Sequence, residues 1–151
     1  MNRARMLAYK HNYYVDNEAC LANEMASKQI LLIEDSKSDV ALIKRMLRDS
    51  LTDHTLEFSD VPRMSDALEL LDTKHFDLAI LDLSLLDIEG SPVVAAFHAQ
   101  APDIPIIVHT GSQCPDLRHE TIMCGARHYL VKGRESPFSF KFVVQQTLAR
   151  A

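Results

Sequence analysis

From residue 29 onward, short runs of apolar residues alternate with segments whose apolar residues recur every three or four positions. The short runs lie at residues 29–34, 54–59, 77–82, 104–109 and 127–131. Runs of this length are typical of β-strands. The first, third and fourth are apolar through their centres, as strands buried on both faces are. The chain therefore has five predicted strands.

A predicted helix follows each predicted strand. The helices cover residues 38–48, 64–71, 92–99, 115–123 and 137–150. In the first of them, Val40, Ile43 and Leu47 lie on one side, as in an amphipathic helix. The fourth has a weak pattern, and Gly125 is expected to end it. Five strand-then-helix units in succession predict an α/β fold with a five-stranded parallel sheet and helices on both faces.

The last helix is ambiguous from local pattern alone. Three phenylalanines between residues 138 and 142 alternate as they would in a strand, but Phe140, Val144 and Leu148 are spaced as on one face of a helix. Ser136 followed by Pro137 is typical of an N-cap and a first helical residue. The alternating order of the elements favours the helix.

The first 28 residues lie outside this repeating pattern. The predicted organisation is an N-terminal extension of unknown role over residues 1–28 and one domain over residues 29–151. Three of the four tyrosines fall in the first fourteen residues. Two interpretations stay open. The extension is either a leader, including sequence upstream of a natural start at Met25, or a segment packed on the domain.

Composition narrows the classes of function. The 151 residues are 47% hydrophobic and 25% charged, which is ordinary for a globular domain, and the net charge is −5. Phosphate-backbone binding needs a surplus of Lys and Arg, so a nucleic-acid partner is not expected. No apolar run approaches the roughly 20 residues of a membrane span, and the N-terminus lacks the apolar core of a secretory signal. No membrane partner is expected.

The cysteines indicate a compartment. Cys20, Cys114 and Cys124 are an odd number with no paired metal-ligand spacing. They are therefore predicted to be reduced thiols in the cytoplasm and not a disulfide framework or zinc site.

Chemically active side chains follow the predicted strands at the point where each strand ends. Glu34 and Asp35 follow the first strand, Asp82 ends the third, Thr110 follows the fourth and Lys132 follows the fifth. Ligands of open parallel sheets bind at the carboxyl ends of the strands, so we expect these groups to meet in one crevice. Each alone has an ordinary interpretation, such as a solvated strand end, a turn or helix N-terminal charge. The set is harder to assign to chance.

The residue types in this set point to metal-assisted phosphoryl chemistry. Three neighbouring carboxylates stay ionised together only if a cation joins them. Oxygen ligands at an open site favour Mg²⁺. An ionised Asp82 beside Mg²⁺ can attack phosphorus to give an aspartyl phosphate. Lys132 can neutralise charge on the transferred group, and Thr110 can donate a hydrogen bond to it.

These motifs resemble the receiver domain of two-component response regulators over about residues 29–150. The resemblance rests on ILLIEDSKSD, LAILDLSLLDIEG, IIVHTGS and HYLVKG, which contain the five residues just described. It implies the (βα)5 flavodoxin-like receiver fold. It also implies a phosphorylation-dependent switch in which Asp82 accepts phosphate from a sensor histidine kinase or phosphotransfer protein. Such a domain is not an enzyme beyond its own phosphorylation and dephosphorylation.

The resemblance also implies residue roles. Asp35 and Asp82 would ligate Mg²⁺ directly, Glu34 mainly through water, and Ser84 through its backbone carbonyl. Thr110 and Lys132 would contact the phosphoryl group. Tyr129 matches the aromatic switch position of the family, and its movement is expected to couple to that of Thr110.

One departure from the family concerns the residue after Lys132. The family usually has proline there in a cis bond, but this chain has Gly133. A cis bond to a residue other than proline costs about 2.5–4 kcal/mol, which favours a trans bond and a differently shaped loop, but the sequence leaves open whether the Lys132–Gly133 bond is cis. Ser84 and Ser112, two residues beyond Asp82 and Thr110, can influence the attack of water on the phosphate. The lifetime of the phosphate does not follow from them.

Three functions compete. The leading hypothesis is a stand-alone receiver domain that signals by contact with a downstream protein or by phosphorelay, because the chain stops after the last predicted helix. The runner-up is an aspartyl-phosphate-forming hydrolase of the haloacid dehalogenase type, although that class has a second Asp where this chain has Ser84. The third is a degenerate receiver that binds a partner without phosphorylation. Oligomeric state, kinase and output partner stay open.

Overall fold

A computed structural model describes residues 27–48 and 55–150 of the chain. Residues 1–26, which hold nearly all of the predicted extension and Cys20, lie outside the described residues. The elements in chain order are β1 (Lys28–Ile33), α1 (Lys37–Arg48), β2 (Leu56–Val61), α2 (Met64–Leu71), β3 (Leu78–Leu81), α3 (Ser91–Gln100), β4 (Ile106–Thr110), α4 (Pro115–Met123), β5 (His128–Val131) and α5 (Pro137–Ala149). Strand and helix alternate throughout, as predicted.

The five strands form one sheet in the order β2-β1-β3-β4-β5, and every pair is parallel. The chain crosses from β1 outward to β2 and then back past β1 to β3, so the carboxyl ends of β1 and β3 are neighbours. In open parallel sheets this reversal of strand order leaves a crevice where ligands bind. The predicted fold class is confirmed.

Alternate residues of the strands face two separate apolar layers. Ile30, Leu32 and Ile80 pack with α1 and α5 on one face of the sheet. Leu31 and Leu81 belong to the layer formed with α2 and α3 on the other face. Both faces of the central strands are covered, which explains why their sequences are continuously apolar.

The last helix forms as predicted. The Ser136 hydroxyl accepts a hydrogen bond of 3.0 Å from the Ser139 amide, which caps the helix before Pro137. Phe140 is buried, whereas Phe138 is 77% exposed and lies on the solvent side. The local strand-like alternation therefore has no structural counterpart.

Two other boundaries are informative. The helix predicted at 115–123 is found with the same limits, and Gly125 after it has a φ of 115°, which glycine adopts easily. The second strand was predicted at 54–59 but pairs with β1 from Leu56 to Val61. Its limits are wrong because β1 sets them by pairing, and its own pattern is weak.

None of the helices in the described part of the chain is long and apolar enough to cross a membrane.

Candidate functional site

The parallel ladders continue one residue beyond the strands and deliver the site residues to one edge. The Asp82 amide donates to the Ile33 carbonyl at 3.0 Å, and the Lys132 amide donates to the Thr110 carbonyl at 2.8 Å. The Glu34 amide is likewise bonded across to the end of β2. These backbone bonds fix the residues that follow β1, β3 and β5 against the ends of their neighbouring strands.

Asp82 follows four buried residues of β3 and is itself only 7% exposed. One carboxylate oxygen accepts a hydrogen bond of 2.7 Å from the Leu83 amide, and the other accepts one of 2.8 Å from Lys132 Nζ. Burying a carboxylate is costly unless it is paired and hydrogen-bonded, and Asp82 is both. The rigid strand and these two bonds fix the carboxylate at the sheet edge.

Lys132 is the cation at the centre of the site. Its ammonium lies 2.7 Å from Glu34 Oε2, 2.8 Å from Asp39 Oδ2 and 2.8 Å from Asp82 Oδ2. Burial alone lowers the pKa of Lys132, but the hydrogen bonds to Asp39, Asp82 and Glu34 outweigh it and raise the pKa above its ordinary value. The lysine is therefore charged, and its three donors match three carboxylates.

Asp39 is the site residue that was not predicted. It lies in the first turn of α1, four positions after Asp35, and reaches Lys132 across 93 residues of sequence. Its signal in the sequence is an acidic residue in the first turn of the helix that follows the acidic pair Glu34-Asp35. First-turn acids are common for the helix dipole alone, so this signal is weak without coordinates.

Glu34, Asp35 and Asp82 form a group able to hold a cation. One oxygen from each lies within 4.8 Å of the others. Burial raises the pKa of Glu34, although bonds from Lys132 and the Ser36 amide act in the opposite direction. A buried carboxylate that resists ionisation gains from a nearby divalent cation. An oxygen-only donor set of this kind fits Mg²⁺.

Thr110 and Tyr129 meet at the backbone of Ser112. Thr110 is 2% exposed, and its hydroxyl accepts a hydrogen bond of 3.4 Å from the Ser112 amide. The Tyr129 hydroxyl donates to the Ser112 carbonyl at 3.0 Å, and the Arg118 guanidinium lies 4.8 Å from the centre of its ring. Tyr129 therefore points inward beneath α4. Its predicted switch role, like the phosphoryl contact of Thr110, stays a prediction.

Two loops flank the site, one after β3 at Ser84 and one after β5 at Gly133. Ser84 lies in the exposed turn after β3 and forms an isolated antiparallel bridge with Glu89. Its carbonyl as a metal ligand stays a prediction. All peptide bonds within the described residues are trans, including that of Lys132 to Gly133, which the sequence had left open. Gly133 has a φ of 77°, which proline cannot adopt, so this loop has a shape that the usual proline would not allow.

Two residues outside the set behave as structural groups. His109 is buried on the opposite side of β4 from Thr110, with its ring centre 5.0 Å from that of Phe140. Burial, with a smaller effect of Lys132, lowers the pKa of His109 to about 4, so it is neutral at pH 7. Cys124 is a half-buried free thiol packed against the core, and Cys114 is an exposed free thiol.

Comparison with known proteins identifies the family. The profile of the response regulator receiver domain matches residues 30–137. The regulatory protein LuxO of Vibrio cholerae is 32% identical over 98 residues, which cover 65% of this chain and 22% of LuxO. The chain thus spans about a quarter of the length of the curated relatives that it matches.

Solved structures agree. The receiver domain of a putative LuxO repressor from Vibrio parahaemolyticus superposes with a TM-score of 0.72 at 27% identity, covering 82% of this chain and 92% of that one. The Mn²⁺-bound form of response regulator Rcp1 superposes with a TM-score of 0.61 at 32% identity, covering 77% and 88%.

Proposed function

The chain belongs to the response regulator receiver domain family, and from that membership we propose that Asp82 accepts a phosphoryl group in a Mg²⁺-dependent reaction. The donor is a phosphohistidine on a sensor histidine kinase or phosphotransfer protein. The observation that carries the proposal is the buried Asp82 carboxylate, which shares one pocket with Glu34, Asp35 and the Lys132 ammonium. Signalling then follows from contact with a downstream protein or from onward transfer of the phosphate.

Transfer begins with attack of an Asp82 carboxylate oxygen on phosphorus. A new P–O bond forms as the P–N bond to the donor imidazole breaks, and the electron pair of that bond leaves with the imidazole nitrogen. Lys132 donates to a phosphoryl oxygen and offsets the negative charge that accumulates there. The Thr110 hydroxyl donates to another phosphoryl oxygen. The rigid position of Asp82 at the end of β3 reduces the entropy lost on reaching the reactive geometry.

The proposed metal site uses residues that already lie together. Mg²⁺ would be held directly by Asp35 and Asp82, through water by Glu34, and by the backbone carbonyl of Ser84. When bound, it would neutralise negative charge on the phosphoryl oxygens. The three carboxylate side chains are within reach of one ion.

Phosphorylation replaces the single negative charge of the Asp82 carboxylate with a phosphoryl group of about −1.5 to −2 charges, which biases a two-state element. The element that we propose is Thr110 with Tyr129, because both bond to Ser112 at the start of the loop into α4. A Thr110 hydroxyl drawn toward the phosphate gives up its contact with the Ser112 amide. The loop and the Tyr129 hydroxyl then rearrange together, and the surface around α4 changes.

The test is labelling of the protein by phosphoramidate or acetyl phosphate with Mg²⁺, followed by intact-protein mass spectrometry. We expect one phosphoryl group on the wild type, none with EDTA, none on Asp82→Asn, and normal labelling of Asp66→Asn as a matched control outside the site. Labelling of Asp82→Asn at the wild-type rate would refute the proposal.

The same assay separates the competing functions. Phosphate released over many turnovers of a simple phosphate ester would favour a hydrolase of the haloacid dehalogenase type. A protein that gives no spectroscopic response to Mg²⁺ and no labelling would be a degenerate receiver. The absence of an acidic residue at position 84 supports the receiver over the hydrolase.

A further inference from the structure

We infer that Asp39 is a positioning residue for phosphoryl transfer, which acts by holding Lys132 from the α1 side while the other partners of the lysine are withdrawn. The inference rests on the proposed phosphorylation of Asp82. It concerns a fourth carboxylate beside the three that can share a cation.

The contacts of Lys132 distinguish its three partners. Glu34 and Asp82 belong to the group whose oxygens converge within 4.8 Å, whereas Asp39 does not. The Asp39 side chain is 33% exposed, and that of Glu34 is 3% exposed. Within the described residues, Asp39 is thus the carboxylate partner of Lys132 that stands outside the candidate metal site.

Metal binding and phosphorylation act on the other two partners. An ammonium has three donors, and in this structure each has a carboxylate acceptor. A cation held by Glu34 and Asp82 competes with the ammonium for their oxygens. Phosphorylation of Asp82 then converts the carboxylate to an acyl phosphate, in which the negative charge lies on the phosphoryl oxygens and no longer on the carboxylate. The bond to Asp39 is the one that neither event consumes.

Asp39 is also well placed to act as a fixed point. It lies one residue before Val40, which packs into the sheet layer on which α1 rests. Its amide donates to the Ser36 hydroxyl at 3.3 Å, which ties the first turn of α1 to the preceding loop. A long lysine side chain held at such a point has fewer orientations to search when a phosphoryl oxygen becomes its new acceptor.

The first test compares labelling rates by phosphoramidate with saturating Mg²⁺. Asp39→Ala is expected to label about three- to tenfold more slowly than the wild type, the cost of a poorly oriented catalytic group. Asp39→Glu, which keeps the carboxylate, is expected to recover part of the rate. Asp66→Ala removes the corresponding first-turn acid of α2 and should label at the wild-type rate. An unchanged or faster rate in Asp39→Ala would overturn the inference.

The second test asks whether Asp39 acts through the lysine. In a double-mutant cycle, Asp39→Ala should produce no further slowing in a Lys132→Ala background. The same fold-loss in both backgrounds would show that Asp39 acts independently of Lys132, and the inference would fail.

A third measurement needs neither metal nor phosphate. NMR of the Lys132 ammonium group in the metal-free protein should show exchange of its hydrogens with water several-fold faster in Asp39→Ala than in the wild type or Asp66→Ala. Equal exchange would overturn the inference even if the wild type is phosphorylated. A wild type that is never labelled, with the exchange difference present, would instead reject the phosphorylation proposal and keep the anchoring of Lys132 by Asp39.

Discussion

The end of β3 and the helix α4, which is reached by the loop after β4, are held very differently. All four residues of β3 are buried, and both oxygens of Asp82 are hydrogen-bonded. In α4 the buried residue is Thr121, while Ile122 and Met123 are 42% and 74% exposed. The carboxylate proposed to react is held by a buried strand and two hydrogen bonds, whereas the neighbouring helix buries a single residue, Thr121.

This contrast suits a switch. Local stability varies across a protein, and elements with few buried contacts open at low cost. The contacts of α4 include the Arg118 guanidinium over Tyr129 and the hydrogen bond from Ser91 to Glu120, besides the packing of Leu117 on the core. We therefore expect charge at Asp82 to leave β3 unchanged and to shift α4.

The largest predicted effect compares two isoleucines, one in each region. Ile80→Ala in β3, where the side chain is 2% exposed, should lower the free energy of unfolding by about 4 kcal/mol, because it opens a cavity in a packed core. Ile122→Ala in α4, where the side chain is 42% exposed, should cost about 0.5 kcal/mol. Urea unfolding followed by circular dichroism measures both. Similar losses at the two positions would remove the contrast.

The second largest effect concerns the ion pairs of Lys132 with Glu34 and Asp82 at the end of β3, which we call the rigid region. Lys132→Met in the metal-free protein should cost about 3 kcal/mol at neutral pH, since it leaves the buried Glu34 and Asp82 carboxylates without their cation. Mg²⁺ should then stabilise the variant more than the wild type. Thermal unfolding with and without Mg²⁺ provides the measurement. Lys37→Met, at an exposed lysine of α1, is the matched control. If Lys132→Met left the free energy of unfolding unchanged, the two carboxylates would have to be effectively solvated.

Much of the rigid region could be predicted from the sequence because its physics is local and repetitive. Continuous apolar runs indicate strands covered on both faces, and parallel strands bring their carboxyl ends together. Glu34, Asp35, Asp82 and Lys132 could therefore be assigned to one pocket before any coordinates. The prediction failed where position depends on a partner in the fold. Pairing with β1 sets the limits of β2, and a lysine 93 residues away gives Asp39 its role.

The weakly held region was less predictable for the same reason. The limits of α4 followed from Pro115 and Gly125, but its sequence has no strong apolar face. The loop that leads into it is held by the bond from the Tyr129 hydroxyl to the Ser112 carbonyl, which depends on a contact between distant segments. The spacing of apolar and polar residues along the chain does not reveal a contact of this kind.

A smaller effect concerns the pH dependence of the rigid site. Burial raises the pKa of Glu34 above its ordinary 4.5, so the folded state binds this proton more tightly than the unfolded state. The contribution of Glu34 to stability is thus greatest below pH 4.5 and is lost as the pH rises through its folded pKa. Glutamine does not titrate, so the Glu34→Gln variant does not lose stability in this way. In the metal-free protein, the stability of this variant relative to that of the wild type should therefore increase with pH across that window, as measured by urea unfolding at several pH values. A pH-independent difference would contradict the raised pKa.

The smallest effect tests the link between the two regions. Tyr129→Phe removes the hydroxyl that donates to the Ser112 carbonyl at 3.0 Å but keeps the ring beneath Arg118. The loss should be about 1 kcal/mol, typical of one hydrogen bond. Amide hydrogen exchange should become faster in the loop between β4 and α4 and stay unchanged in β3, because the hydroxyl restrains the loop and not the strand. Faster exchange in β3 as well would show that the two regions open as one unit, and a fixed phosphoacceptor beside an independently moving α4 would no longer describe the molecule.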